Sequence, residues 1–164
     1  FPQVPELHQA ILQSYSEHYV EHSIHDVWFD GVAEMLQDLA AQGIQLAVAT
    51  GKSRKGLDRV LAQTQSHEIF VATRAASETK SKPDPLMLSE ILSVVGVHPE
   101  QAIMVGDTSY DLEMAQNIRM PSVGVTYGVH ESHVLEKFNP IALASDVKAL
   151  HQLLNHQIKL KESA

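Results

Sequence analysis

Residues Ala102–Gln116 read AIMVGDTSYDLEMAQ, and an apolar run there closes on Gly106-Asp107 with a second carboxylate, Asp111, four residues later. A short apolar run bounded by glycine reads as a buried strand, and the stretch from Tyr110 to Asn117 reads as a helix. Glycine before Asp107 permits close backbone approach. A hard cation such as Mg²⁺ takes oxygen ligands and accepts one or two protein carboxylates beside a substrate phosphate. Asp107 and Asp111 are therefore candidate metal ligands. A plainer account is that Asp111 complements a helix N-terminus and Asp107 is a loop residue. The Gly-Asp-x-x-x-Asp spacing directly after a strand favours the functional account.

Working outward, strand and helix alternate from residue 44 to the end. The expected strands are IQLAVAT at 44–50, IFVAT at 69–73, AIMVGD at 102–107, SVGVTYG at 122–128 and a weak IALA at 141–144. IQLAVAT is nearly continuous in apolar residues and is expected to be a buried strand. Helices are expected from Pro5 to about His22, from Gly31 to Gln42 with Gly43 as its stop, and from an N-cap at Ser53 through Gln63. Further helices are expected from Pro85 to Val95, His130 to Lys137 and Asp146 to about Lys159. Alternation of this kind implies βαβ units, a parallel sheet and helices on both of its faces. Ligands in such sheets bind at the carboxyl ends of strands, which singles out Thr50, Asp107 and Thr126.

Composition narrows the function. The chain has 164 residues, enough for one domain with a real core. A net charge of −8 without a Lys/Arg cluster argues against nucleic acid. The absence of cysteine rules out disulfides, thiolate zinc sites and thiol nucleophiles, and fits a cytoplasmic enzyme. No apolar run approaches the ~20 residues of a membrane span. The start, FPQVPELHQ, has neither a basic beginning nor an apolar core, so it is no signal peptide. It also lacks an initiator Met, and an earlier natural start is expected.

Two further stretches bear on chemistry. In AVATGKS, Thr50 and Gly51 end a strand ahead of a helix, where backbone N–H groups can cradle a phosphate. The Thr50 hydroxyl adds a donor and Lys52 a charge. This is no Walker A loop, because Leu46 stands where that loop needs glycine. In ETKSKPDP, Lys82 precedes Pro83 and is biased toward extended backbone; it can neutralise a phosphoryl group or a carboxylate, but taken by itself it reads as a solvated loop lysine, as Lys80 does. Among ten histidines, His18, His22 and His25 lack the zincin pattern and read as a polar helix face. His130 and His133 are candidates for substrate contact, with helix-start polarity as the duller account.

Taken together and in this order, Thr50-Gly51-Lys52 after a strand, Lys82 before Pro83, and Gly106-Asp107 with Asp111 resemble the second, third and fourth motifs of the haloacid dehalogenase superfamily. FDGVAEMLQDLAAQGIQLAVATGKS, SKPDPLMLSEIL and PSVGVTYGVHE resemble core segments of its phosphoglycolate-phosphatase-like branch. The resemblance implies a three-layer, Rossmann-like α/β core over residues 28–164. It implies that residues 1–27 are a remnant of an α-helical cap. It further implies a Mg²⁺-dependent phosphatase acting on a small phosphorylated metabolite through an aspartyl-phosphate. In that scheme Thr50 binds phosphoryl oxygens with Gly51 and Lys52, Lys82 stabilises charge, Asp107 holds Mg²⁺ and Asp111 supports the metal site.

The family's first motif, an apolar strand followed by Asp-x-Asp-Gly-Thr, does not occur in the sequence. HDVWFDGVAE offers Asp26 and Asp30, but they are four apart, no apolar strand precedes them, and Val32 replaces the threonine. Asp30-Gly31 reads as a helix start. By resemblance, the nucleophile's strand belongs between the strands ending at Thr50 and Asp107, so each is expected to carry an open apolar edge. A second chain is a candidate to cover it. The expectation is a phosphatase whose nucleophile lies in an N-terminal segment outside these residues, with this chain alone inactive. A β-phosphoglucomutase-like phosphotransferase and a catalytically inactive binding module are the alternatives.

Overall fold

The structure is a computed structural model and describes residues 28–162. The expected first helix, the cap remnant at 1–27 and His18, His22 and His25 lie outside the described residues. Eleven helices and strands follow one another: α1 (Val32–Ala41), β1 (Leu46–Thr50), α2 (Arg54–Gln63), β2 (Phe70–Ala75), α3 (Leu86–Val95), β3 (Met104–Gly106), α4 (Ser109–Gln116), β4 (Ser122–Val125), α5 (Ser132–Leu135), β5 (Ala142–Ala144) and α6 (Val147–Glu162). Short 3₁₀ turns precede β2 and β3 and follow α5.

All strand pairs are parallel, as the alternation requires, but among the described residues they form two sheets. β1 pairs with β2, Thr50 opposite Ala75. β3 pairs with β4 and β4 with β5, Gly106 opposite Gly124 and Val125 opposite Ala144. β1 and β3 do not pair with each other.

Alternation along the strands assigns the helical layers. Val123 and Val125 of β4 point to one side, where they pack with Met35 and Leu39 of α1, Ala144 of β5 and Leu150 of α6. Met104 of β3 points to the other side and packs with Met87 and Leu88 of α3 and Met114 and Ala115 of α4. Ala49 of β1 leans on this second cluster. A third cluster joins Leu57 and Leu61 of α2 to Ala75 of β2, with Val48 of β1 at its margin.

The helix ends follow local chemistry. The Ser53 hydroxyl accepts from the Gly56 N–H at 3.2 Å and caps α2, as expected. Gly43 follows the end of α1, and the Ile44 N–H closes on the Leu39 carbonyl. At α3 the cap comes from Asp84, whose Oδ1 accepts the Leu86 N–H; Pro85 has no side chain to do so. α5 begins at Ser132 rather than at His130, because the His130 backbone and ring are engaged elsewhere.

One expectation is corrected. β1 forms, yet none of its five residues is buried. Among the described residues the strand pairs on one side only, so its apolar side chains lack the neighbours that a central strand has.

Candidate functional site

The site is built where the carboxyl ends of β1 and β3 face each other across the break between the sheets. On the β1 side, Thr50 ends the strand and its Oγ1 accepts the Lys52 N–H at 3.1 Å. That bond uses the oxygen and leaves the hydroxyl hydrogen to donate outward. The turn through Gly51 is anchored to the loop after β2. The Lys52 carbonyl accepts the Ala76 N–H at 3.0 Å, and the Arg54 N–H reaches Ser77 Oγ at 3.0 Å. The Arg54 guanidinium donates to Glu78 at 2.8 and 2.5 Å, and also to Asp58 and Thr73. The hydrogen bond from Arg54 holds the Glu78 carboxyl down at about 2, and Glu78 pushes Arg54 above its ordinary value.

The same loop delivers Lys82, whose bond to Pro83 is cis. Its side chain is 18% exposed, and Nζ donates to the Ala49 carbonyl at 3.0 Å and to Asp111 Oδ1 at 2.5 Å. Lys82 therefore spans the break, from the residue before Thr50 to the helix after Asp107. Lys80, by contrast, is exposed and pairs with Asp84 at 3.3 Å.

On the β3 side, α4 opens with a reciprocal cap. Thr108 Oγ1 accepts the Asp111 N–H, while Asp111 Oδ2 accepts from Thr108 N–H and Oγ1 at 3.1 and 2.7 Å. With Lys82 on Oδ1, both carboxylate oxygens of Asp111 are directed to protein donors. Gly106 makes room for this: a Cβ there would lie 2.3 Å from Asp111 Cβ.

Asp107 is clamped by the loop after β4. Its Oδ2 accepts the Val129 N–H at 3.0 Å and its carbonyl accepts the His130 N–H at 3.0 Å. A Cβ at Gly128 would lie 2.4 Å from Oδ2, so only glycine lets that loop close over the carboxylate. The phenol of nearby Tyr127 is pushed up by burial first, then by the negative charges of Asp146 and Asp107.

The fit to a cation follows from these donors. Among the described residues no group of three or more His, Asp or Glu side chains converges. Asp107 uses one oxygen on Val129, which leaves the other for a ligand. A carboxylate oxygen so placed is a ligand of the kind that a hard cation accepts, with water and substrate oxygens completing its shell.

Thr50, Lys82, Asp107 and Asp111 thus gather at one break. Thr126 does not join them, since its hydroxyl donates to the Ala144 carbonyl at 3.3 Å and ties β4 to β5. Asp30 is exposed in the turn before α1, beside a Phe29 ring that packs edge-on against Tyr127 at 5.1 Å. The helix start expected at Asp30-Gly31 is close: Gly31 is the N-cap of α1, without a side-chain cap. His133 pairs with exposed Glu131. Sequence reasoning passed over Gly128, the Val129 N–H, the Thr108 cap and the Arg54–Glu78 pair. Only the cap had a readable sign, the Thr-x-x-Asp spacing of 108–111.

Comparison with known proteins identifies the family. The family model described as haloacid dehalogenase-like hydrolase matches residues 2–125. Phosphoglycolate phosphatase of Thiobacillus denitrificans is 35% identical over 126 residues, covering 76% of this chain and 56% of the relative. Phosphoglycolate phosphatase of Psychrobacter arcticus is 30% identical over 125 residues, covering 76% and 54%. The chain spans about half the length of these curated relatives. The crystal structure of a predicted phosphoglycolate phosphatase from Haemophilus somnus superimposes with a TM-score of 0.79 at 24% identity, over 87% of this chain and 64% of that one.

Proposed function

This chain belongs to the haloacid dehalogenase-like hydrolase family, in its phosphoglycolate-phosphatase-like branch, and we propose that the full-length protein is a Mg²⁺-dependent phosphatase of small phosphate monoesters. The observation that carries this reading is Lys82, which joins the strand end at Thr50 to the helix that follows Asp107. Lys82 thereby ties three separate stretches of sequence together.

The roles follow from the donors. The Thr50 hydroxyl and the Gly51 backbone N–H bind phosphoryl oxygens, and Lys52, whose own N–H is held by Thr50, adds charge beside them. Lys82 supplies a fixed positive charge, and Asp111 holds it in place. Asp107 holds Mg²⁺, which when bound neutralises charge on the phosphoryl oxygens. Phosphoryl transfer depends mostly on such positioning and neutralisation. The nucleophile is an aspartate outside the 164 residues. Its carboxylate oxygen attacks phosphorus, the ester P–O bond breaks, and a second aspartate two residues on, protonated at the start, gives its proton to the departing alkoxide and then takes one from the attacking water. Water then cleaves the aspartyl-phosphate to release inorganic phosphate.

The edges of β1 and β3, which have no strand partner among the described residues, support the proposal that the nucleophile's strand lies between them, carried by the same polypeptide or by a second chain. This chain alone is then inactive. Phosphoglycolate, named for two relatives, or a related small ester is the proposed substrate, and the cytoplasm the proposed setting.

The test is phosphate release with Mg²⁺ from a panel of small phosphate esters, by this chain and by the full-length protein. Only the full-length protein should turn over, and Asp107→Asn or Lys82→Ala should slow it by about 100-fold or more. Turnover that ignores both substitutions would overturn the assignment. Phosphate moved to a second sugar hydroxyl instead of water would favour the phosphotransferase. Mg²⁺ binding without turnover would favour the inactive binding module.

A further inference from the structure

We propose that His130 is a positioning residue that fixes the carboxylate of Asp107 for its cation. The inference rests on the reading of Asp107 given above. His130 grips the Asp107 turn at two points. Its backbone N–H donates to the Asp107 carbonyl at 3.0 Å, and its ring Nδ1 accepts the Ser109 N–H at 2.9 Å. Ser109 is the first residue of α4, so its N–H has no partner within the helix. The ring supplies that partner, and a tilted contact with Tyr110 at 6.2 Å between ring centroids limits its rotation. Because Nδ1 accepts, the neutral ring carries its hydrogen on Nε2.

The consequence runs through the neighbouring residues. The His130 ring holds the 128–130 loop against the start of α4. The Val129 N–H then meets Asp107 Oδ2, and Gly128 lies too close to Asp107 for any side chain. Asp107 is thus aimed by its own turn and by a second loop locked to that turn. Without the ring, the Ser109 N–H loses its acceptor and the loop keeps only backbone bonds. The carboxylate can then turn away from the orientation a cation needs.

The test uses the full-length protein, with Mg²⁺ affinity from calorimetry, steady-state kinetics, thermal unfolding, and amide resonances of Asp107, Ser109 and Val129. His130→Ala should weaken Mg²⁺ binding and lower kcat by about tenfold, the usual range for a partner of a metal ligand. KM for the ester should stay within about twofold and the Ser109 and Val129 resonances should move. Asn presents an oxygen near the position of Nδ1, so His130→Asn should recover Mg²⁺ affinity to within about threefold. His130→Gln, whose polar end reaches past that position, should not. Wild-type Mg²⁺ affinity in His130→Ala would overturn the inference, as would His130→Asn behaving no better than alanine. Asp107→Asn, measured alongside, keeps the two ideas apart. If it retains Mg²⁺ while His130→Ala loses it, the cation does not sit on Asp107 and the inference falls with the reading beneath it. If Asp107→Asn loses Mg²⁺ and His130→Ala does not, only the inference falls.

Discussion

β1 and β4 are alike in sequence and unlike in setting. LAVAT and SVGV are both short, small and apolar, yet every residue of β4 is buried and none of β1 is. β4 has a strand on each side and helices on both faces. β1 has β2 alone. Burial of a strand is therefore a property of its neighbours and not of its own hydrophobicity. The contrast extends to what holds each half together. The β3–β4–β5 half rests on fully buried Leu112, Met114, Val123 and Leu135. The β1–β2 half has a smaller apolar cluster, with two part-exposed ion pairs beside it, Arg54 with Glu78 and Arg74 with Glu90. Lys82, the cluster of Met87, Leu88 and Met104, and the packing of Ile44 and Leu46 against the Val123–Val125 cluster join the two.

The largest effect on this chain's stability is expected at that junction. Lys82→Met removes the bridge and leaves Asp111, its side chain 6% exposed, without its cation. Urea unfolding should show a loss of about 3 kcal/mol. A loss under ~1 kcal/mol, the range of a surface pair, would mean that the halves are held together by their apolar contacts alone.

A smaller contrast separates two glycines, one from each half. Gly106→Ala drives a methyl to 2.3 Å from Asp111 Cβ, while a methyl at Gly51 meets nothing within 4 Å. Gly106→Ala should cost about 2 kcal/mol. Gly51→Ala should shift stability by less than ~0.5 kcal/mol. Equal costs would show that the β1 side is as tightly packed as the β3 side.

The smallest effect concerns the ion pairs. Glu78 lies at about 2 in the folded chain, against an ordinary 4.5. A lowered carboxyl value stabilises the fold fully above the ordinary value, and the benefit fades as pH falls through the folded one. The difference in thermal midpoint between the wild type and Glu78→Gln should be present near neutrality and shrink between pH 4.5 and 2. A difference independent of pH in that window would assign the pair's effect to packing.

Much of this was legible in the sequence. Alternating apolar runs and helical stretches forecast parallel strands between helices, since the period of burial distinguishes the two. Ser53 and Gly43 marked helix ends because capping is a local matter. Lys82 was the least legible residue of the site. A lysine before a proline in a polar loop looks like any solvated lysine, and its partners, Ala49 and Asp111, are 33 and 29 residues away. Thr126 misled for the related reason that a hydroxyl at a strand end serves a neighbouring carbonyl as readily as a ligand.

The sequence by itself determined the strands, the helices, the family and the residue types that phosphoryl chemistry needs. These depend on periodicity, caps and short spacings within one stretch of chain. Tertiary structure alone decided that β1 stays open while β4 is buried, that Lys82 spans the break, and that Gly128, Val129 and His130 close over Asp107. Each of these is a contact between segments far apart in the chain, and such contacts leave no periodic trace in the order of residues.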